Sequence, residues 1–219
     1  MPGNIKAVIF DLDGTVLYTL DDLTYSCNYA LKAMGYGERP AEDIRKFVGN
    51  GMLKLIYRLF PEGTPEDKIN STMKIFVDHY KDHCMDMTRP YDGIEDVIKS
   101  LRKDGIKTGI VSNKTDEAVQ PIIAHYFPGL FDAVTGDRPG ITRKPDPALL
   151  FDTMDKLGVP LQSTVYVGDS DVDIQTAKNA GIPCISVTWG YRDKDFLSRC
   201  GASLFADSPG DILNIINTL

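Results

Sequence analysis

The sequence predicts an α/β protein: a doubly wound, Rossmann-like parallel sheet with an inserted subdomain of helices. Two observations predict it. Short β-branched apolar runs, typical of strands buried on both faces, alternate with helical segments over most of the chain. Residues 17–87 interrupt this alternation, because they carry amphipathic helices back to back and no strand-like run. We therefore expect an α/β core of residues 1–16 and 88–219 and a helical cap of residues 17–87.

The expected core strands are apolar runs bounded by glycine or aspartate. The central runs are residues 5–10, 106–111, 165–167 and 184–188, and two weaker runs at 133–135 and 203–205 predict edge strands. Asp92 and Glu95 are expected to form a capping box for a helix that Gly105 ends. Ser170 is expected to cap a helix that ends at Gly181. Such alternation implies right-handed crossovers between parallel strands.

The inserted segment carries three apolar stripes at helical spacing, which we interpret as the core of a small bundle. The stripes are Leu20, Leu23, Cys27, Leu31 and Met34; Leu53, Ile56, Leu59 and Phe60; and Ile69, Met73, Phe76, Val77, Tyr80 and Cys84. Because the insertion follows the first strand, it enters at the carboxyl end of that strand, where open α/β sheets place their sites.

The composition restricts the class of partner. The 219 residues carry 24 Lys and Arg against 31 Asp and Glu, a formal net charge of −7, which argues against a nucleic acid or a membrane surface as partner. No apolar run approaches the roughly 18 residues of a membrane span, and the N-terminus lacks the pattern of a secretory signal. The four cysteines have no close pair, so we expect reduced thiols in a cytoplasmic protein.

Two aspartates follow the first strand directly, in the segment Asp-Leu-Asp-Gly-Thr at residues 11–15. Alternation along an extended chain puts Asp11 and Asp13 on the same side. Two close carboxylates are not both charged unless a cation joins them or one keeps a proton. One can therefore act as a nucleophile while its neighbour acts as a general acid. A solvated turn in which Asp13 supports Gly14 is the simpler alternative.

A second acidic cluster follows another predicted strand. Asp169 lies at the end of that strand, and Asp173 lies in the first turn of the next helix. Capping by Ser170 and Asp173 explains part of this pattern, but it does not explain three aspartates within five residues. If this strand lies beside the first, Asp11, Asp13 and Asp169 converge, and a hard divalent cation, most simply Mg²⁺, relieves their repulsion.

Two further segments carry groups that suit phosphate. Ser112 and Asn113 end a predicted strand, ahead of a helix that begins near Thr115, where hydroxyl, amide and backbone N–H groups can bind phosphate oxygens. An ordinary strand-to-helix cap is the alternative. Lys144 precedes Pro145, which holds the lysine backbone extended and so fixes the direction of its side chain. A solvent-exposed lysine is the usual case at such a position.

Four motifs occur in a fixed order at predicted strand ends: Asp-x-Asp-Gly-Thr at 11–15, Ser112, Lys-Pro at 144–145 and Gly-Asp-x-x-x-Asp at 168–173. This set resembles the four motifs of the haloacid dehalogenase superfamily. The resemblance spans nearly the whole chain, and the helical insertion resembles the α-helical cap of that family.

The resemblance implies a role for each motif residue. It implies that Asp11 is a nucleophile that forms an aspartyl-phosphate, and that Asp13 is the acid/base and also binds Mg²⁺ through its carbonyl. The phosphoryl group would be bound by Ser112 and Lys144. Asp169 would be a metal ligand, with Asp173 close behind, so the expected metal residues are Asp11, Asp13, Asp169 and Asp173.

A glycine-rich segment in the expected cap, Val-Gly-Asn-Gly at 48–51, is a candidate substrate-binding loop. Gly49 and Gly51 around Asn50 allow close approach to a small anion, with Arg45 or Lys54 facing its carboxylate. A plain turn between helices is an equal alternative. The segment resembles the cap loop of the phosphoglycolate phosphatases within the superfamily, as does Trp-Gly-Tyr-Arg at 189–192.

These features imply a Mg²⁺-dependent phosphatase acting on a small phosphate monoester, with 2-phosphoglycolate as the leading candidate. Asp13 argues against a dehalogenase, because an alkoxide leaving group must be protonated and a halide need not be. A β-phosphoglucomutase-like phosphomutase, a sugar-phosphate or nucleotide phosphatase, and a non-catalytic phosphate-binding module are the alternatives. We expect a monomer or homodimer whose partner is a small phosphorylated metabolite. Tyr18 stands where many relatives have Asp, which leaves the exact substrate open.

Overall fold

The computed structural model describes residues 5–219 and divides the chain into two compact units. The first unit extends to Leu17 and resumes at Pro90–Leu219, and the second is Tyr18–Arg89. The divisions fall at 17 and 89, against the 16 and 87 expected from the sequence. Two short strands, β2 (Leu17–Tyr18) and β3 (Arg89–Pro90), pair with each other where the divisions fall.

The remaining elements alternate in the first unit and are all helical in the second. The other strands are β1 (Ala7–Phe10), β4 (Lys107–Thr115), β5 (Ala133–Asp137), β6 (Thr164–Gly168), β7 (Cys184–Val187) and β8 (Leu204–Ala206). The helices of the second unit are α1 (Leu20–Ala33), α2 (Ala41–Phe47), α3 (Met52–Arg58) and α4 (Glu66–His83). Those of the first unit are α5 (Ile94–Lys103), α6 (Asp116–Tyr126), α7 (Ala148–Leu157), α8 (Asp171–Ala180), α9 (Lys194–Arg199) and α10 (Pro209–Ile216).

Six strands of the first unit form one parallel sheet in the order β5-β4-β1-β6-β7-β8. The predicted α/β class is therefore confirmed, as are the edge positions of β5 and β8. All four residues of β1 are buried, as expected for an apolar strand covered on both faces. The strand order reverses at β1, which has β4 on one side and β6 on the other. Such a switch point opens a crevice at the carboxyl ends of the strands.

One of the two helix starts predicted by capping is confirmed and the other is wrong. Ser170 and Asp173 form the reciprocal capping box of α8, and Gly181 ends that helix in the left-handed conformation. In α5 the N-cap is Gly93, with φ 84°, and no side chain caps the helix. Asp92 therefore precedes the N-cap and Glu95 lies at the second helical position, so the two cannot form a box.

Strand β4 is longer than the sequence predicts. The polar residues after position 111 were expected to lie beyond the strand, but the extended backbone continues to Thr115. The pairing register between β4 and β5 shifts between Val111 and Thr115. The helix then starts at Asp116. Polar residues after an apolar run usually mark a strand end, but here Ser112 and Lys114 are buried at 1% and 5% exposure. Their polarity reflects a polar environment inside the fold.

The second unit buries most, but not all, of its predicted stripes. The stripe of α1 is buried from Leu20 to Leu31. Leu53 and Val77, expected in the bundle core, are exposed at 41% and 37%. Both lie at the margin of an apolar face, where periodicity alone does not define how far burial extends. Within residues 5–219, no helix combines the length and apolar character that crossing a membrane requires.

A buried carboxylate stabilises the second unit. Asp22 of α1 is fully buried and accepts hydrogen bonds from the backbone N–H of Met87, at 2.9 Å, and of Thr88, at 2.8 Å. These donors lie beyond the end of α4 and have no helical partner there. Buried N–H groups that lose their acceptor are costly, so Asp22 holds this segment against α1.

We expect Asp22→Ala to lower the free energy of unfolding by about 1 to 3 kcal/mol, because it removes the acceptor of the buried Thr88 N–H and of the partly buried Met87 N–H. Urea unfolding followed by circular dichroism measures the change. Asp78→Ala, an exposed site on α4, is the matched control and should change stability by less than about 0.5 kcal/mol. Equal midpoints for the two variants would contradict this account of Asp22.

Candidate active site

The carboxyl ends of three adjacent strands bring the chemically reactive side chains together. Asp11 directly follows β1, and its backbone N–H continues the ladder by donating to the Val167 carbonyl at 2.8 Å. Asp169 follows β6, on one side of β1, and Ser112 lies in β4, on the other. Side chains more than 150 residues apart in sequence thus meet at the switch point of the sheet.

Three buried aspartates at this edge form a candidate metal site. Carboxylate oxygens of Asp11, Asp169 and Asp173 all lie within 4.8 Å of one another. Among the described residues, no other group of three or more His, Cys, Asp or Glu has this arrangement. The donors are all carboxylate oxygens, which hard divalent cations prefer. The carboxylate of Asp13, also expected in the metal set, is not part of this group.

Lys144 is the cation of the cluster. Its Nζ lies 2.8 Å from Asp11 Oδ1, 2.8 Å from Asp173 Oδ1 and 3.0 Å from the Tyr166 hydroxyl. An ammonium group has three N–H donors, so these three contacts match its capacity. The loop that carries Lys144 is fixed as well, because Asn113 Nδ2 donates to the Lys144 carbonyl at 3.1 Å.

Tyr166 belongs to the site although sequence reasoning assigned its strand to the core. It is fully buried in β6, and its hydroxyl also lies 3.2 Å from Asp173 Oδ1 and 3.4 Å from the Val111 carbonyl. A tyrosine within an apolar run usually indicates core packing. The signal that could have placed Tyr166 in the site was its hydroxyl, which requires a polar partner when buried.

Burial and mutual repulsion shift the pKa values of these acids. Burial, reinforced by the charge of Asp173, raises the pKa of Asp11 well above its usual range. The same two causes raise the pKa of Asp169 to about 7. Burial opposes the charged form of Lys144, but attraction to Asp11 and Asp173 outweighs it and raises the lysine pKa well above its usual value. One permanently charged ammonium therefore faces three carboxylates.

The charge balance of the site fits a divalent cation. Four aspartates (11, 13, 169 and 173) and two buried lysines (114 and 144) give 2 − 4 = −2 when all are ionised. Arg192, whose charge lowers the pKa of Asp169, also lies 3.8 Å from Asp171, whose charge offsets part of its own. An uncompensated buried charge costs several kcal/mol. A divalent cation among the carboxylates would remove that excess.

Two glycines and a backbone amide fix the position of Asp169. Its Oδ2 accepts from the Tyr191 N–H at 2.7 Å, and its Oδ1 accepts from the Thr15 hydroxyl at 3.3 Å. A Cβ at Gly14 or at Gly190 would collide with the Asp169 side chain. The Trp-Gly-Tyr-Arg segment at 189–192 therefore packs directly against a candidate metal ligand.

The end of β4 carries a hydroxyl and a second buried lysine. Ser112 Oγ accepts from the Lys114 N–H at 3.1 Å, so its own hydrogen can be donated to a ligand. Lys114 Nζ lies 3.3 Å from Asp13 Oδ1, and their side chains are 4% and 15% exposed. Sequence analysis did not single out Lys114, because a lysine beyond an apolar run is usually a solvated surface residue.

The predicted substrate-binding residues of the cap all lie in the second unit. Gly49 and Gly51 adopt φ values of 113° and 83°, which glycine tolerates, on either side of Asn50 between α2 and α3. Arg45, near the end of α2, lies 3.6 Å from Glu42 and is about one-third exposed. The remaining predicted site residues, including Asn113, lie in the first unit.

A doubly wound sheet with clustered carboxylates and a buried lysine at its switch point is typical of α/β enzymes that bind a cation and an anion together. A family model described as haloacid dehalogenase-like hydrolase matches residues 8–187. The chain belongs to this family of hydrolases, as its motifs indicated.

Known relatives agree with this assignment. A phosphoglycolate phosphatase of Agrobacterium fabrum is 35% identical over 84% of this chain and 81% of its own length. An N-acetylmuramic acid 6-phosphate phosphatase of Pseudomonas aeruginosa is 29% identical over 97% of this chain and 95% of its own. A crystal structure from Lactobacillus delbrueckii, of a candidate phosphoglycolate phosphatase, is 37% identical with a TM-score of 0.95 and full coverage of both chains.

We expect Gly190→Ala to weaken the binding of a divalent cation by about tenfold or more, because the added methyl group displaces Asp169 and its backbone donor. Isothermal titration with Mg²⁺ measures the affinity. Gly210→Ala is the matched control, since a Cβ there meets open space, and it should bind Mg²⁺ as the unmodified protein does. Equal affinities for the two variants would show that the close packing around Asp169 is not needed for cation binding.

Proposed function

We propose that this hydrolase is a Mg²⁺-dependent phosphatase of small phosphate monoesters, with 2-phosphoglycolate as its leading substrate. The observation that carries the proposal is the Lys144 ammonium, which contacts Asp11 and Asp173 within a buried group of three carboxylates. A site of this charge and size suits a phosphoryl group together with a cation. The relative from Agrobacterium fabrum supports the choice of substrate.

Asp11, Asp169 and Asp173 would hold Mg²⁺, assisted by the Asp13 carbonyl, and the ion would neutralise charge on the phosphoryl oxygens. Asp11 attacks phosphorus in line and forms an aspartyl-phosphate. Lys144 neutralises the phosphoryl oxygens during attack, and the Ser112 hydroxyl donates to one of them. The pKa of Asp11 is raised by burial in the structure described, so a cation nearby favours the ionised form that attack requires.

Asp13 carries the proton transfers in this proposal. In its protonated form it gives a proton to the leaving oxygen as the ester bond breaks, and it then takes a proton from the water that hydrolyses the aspartyl-phosphate. General acid–base catalysis of this kind is worth roughly 10²–10⁴-fold in rate. Release of phosphate distinguishes this reaction from that of a phosphomutase, in which the phosphoryl group returns to the substrate.

A sugar phosphate is the second candidate substrate, because the relative from Pseudomonas aeruginosa is named for one and is similar over almost its whole length. Both candidates carry a phosphate monoester and an oxygen-rich leaving group. A phosphate-release assay over a panel of metabolites, with 2-phosphoglycolate and hexose 6-phosphates side by side, ranks them by kcat/KM. A higher value for the hexose phosphates would replace 2-phosphoglycolate as the proposed substrate.

Asp11→Asn should reduce phosphate release from every substrate by at least about a thousand-fold, because the amide cannot act as the nucleophile. The assay is phosphate release in the presence of Mg²⁺, with circular dichroism to verify the fold. Asp155→Asn, an exposed position on α7, is the control and should retain full activity. Normal turnover by Asp11→Asn would refute the assignment of the nucleophile.

We also propose that Arg45 and Asn50 of the second unit recognise the part of the substrate beyond its phosphate. Arg45→Ala should raise KM for 2-phosphoglycolate by about 10- to 100-fold, the range of a lost charged hydrogen bond, and should affect p-nitrophenyl phosphate much less. Lys46→Ala, an adjacent and more exposed cation, is the control and should leave both substrates unchanged. Equal losses on both substrates in Arg45→Ala would rule out this role.

A further inference from the structure

We propose that Lys114 is a positioning residue for Asp13: its ammonium holds the Asp13 side chain where the protonated acid can donate its proton to the leaving group. The inference rests on the proposed phosphatase function and adds to it a residue outside the four motifs. It is carried by the contact between Lys114 Nζ and Asp13 Oδ1, at 3.3 Å, and by the burial of both side chains.

The burial of Lys114 is not explained by a gain in stability. A lysine side chain is almost never fully buried unless it is paired, and that of Lys114 is 4% exposed. Burying an ion pair is a weak source of stability, because desolvation of the two charges offsets their attraction. What such a pair does provide is a fixed geometry for the carboxylate. Asp13 is the group for which a fixed geometry has a chemical use.

The backbone around Lys114 is fixed from both sides. Its N–H donates to Ser112 Oγ at 3.1 Å. On the other side, β5 comes so close that a Cβ at Gly136 would lie 2.8 Å from the Lys114 carbonyl oxygen. The Gly136 N–H in turn donates to Asp116 Oδ1 at 2.8 Å. These contacts fix the backbone of the segment where β4 changes register, and so they fix the point from which the Lys114 side chain extends.

The two buried lysines, Lys114 and Lys144, contact different aspartates. Lys144 contacts Asp11 and Asp173, on the side of the phosphoryl group, and its third donor is matched by Tyr166. Its capacity of three donors is thus accounted for by these contacts. Lys114 is the buried lysine that contacts Asp13.

The experiment compares two esters whose leaving groups differ in their need for a proton. Ethoxide must be protonated as it leaves, whereas p-nitrophenolate leaves without a proton. For Lys114→Met we expect kcat/KM to fall about 10- to 100-fold for ethyl phosphate and less than about threefold for p-nitrophenyl phosphate. Lys114→Arg should recover part of the loss, because it keeps the charge.

Two further variants define the cause of the loss. Adding Lys114→Met to Asp13→Asn should cause no further loss with ethyl phosphate, since a residue that acts through Asp13 has no effect once Asp13 is replaced. Lys107→Met, at the other end of β4, is the matched control. Lys107 Nζ contacts the Leu157 carbonyl at 2.6 Å, and its replacement should affect both esters equally.

Equal losses on the two esters in Lys114→Met would overturn the inference, because a structural role does not distinguish leaving groups. With 2-phosphoglycolate assayed as a third substrate, a loss confined to it would also overturn the inference, because Lys114 would then be contacting the substrate carboxylate. Both outcomes leave the proposed phosphatase function intact, since the unmodified protein remains active. If the unmodified protein released no phosphate from any ester, the proposed function would fail and this inference with it.

Discussion

The crowding of carboxylates around one ammonium group is the constraint on which the first unit depends. Asp11, Asp169 and Asp173 place oxygens within 4.8 Å of one another in a buried space, and Lys144 contacts two of them. Each buried ion carries a desolvation penalty of several kcal/mol unless it is compensated. Lys144 therefore offsets part of the repulsion between carboxylates where β1, β6 and α8 meet.

Glycine makes this crowding sterically feasible. Gly14 and Gly190 both border Asp169, and a Cβ at Gly168 would collide with the Asp173 side chain. A methyl group at any of the three positions would displace a carboxylate. Only Gly14 of the three has a positive φ, of 85°. At the other two positions it is therefore the missing side chain, rather than an unusual backbone conformation, that the site requires.

Most of the strands and helices could be predicted from the sequence, because apolar periodicity and the glycines that end helices and strands are local signals. The two edge strands were also predicted, whereas the sequence analysis gave the pairing of β1 with β6 only as a condition. Residues whose role depends on a distant partner were not predicted. The sequence predicts a core position for Tyr166, because the partner of its hydroxyl, Lys144, comes from a separate loop. The sequence predicts a solvent-exposed Lys114, because the register shift at this end of β4 depends on the pairing with β5. The start of α5 was missed because the left-handed turn at Gly93 replaces a side-chain cap.

The hydrogen bond between Thr15 and Asp169 joins residues 154 positions apart, and that from Trp189 to the Thr15 carbonyl spans 174. Contacts of such long range form late, after the loop between them has closed. A nascent chain that has emerged from the ribosome only as far as β5 thus presents Asp11 with neither Lys144 nor Asp169. The acids that follow β1 therefore acquire these buried partners only once β6 and the segment that follows β7 have docked.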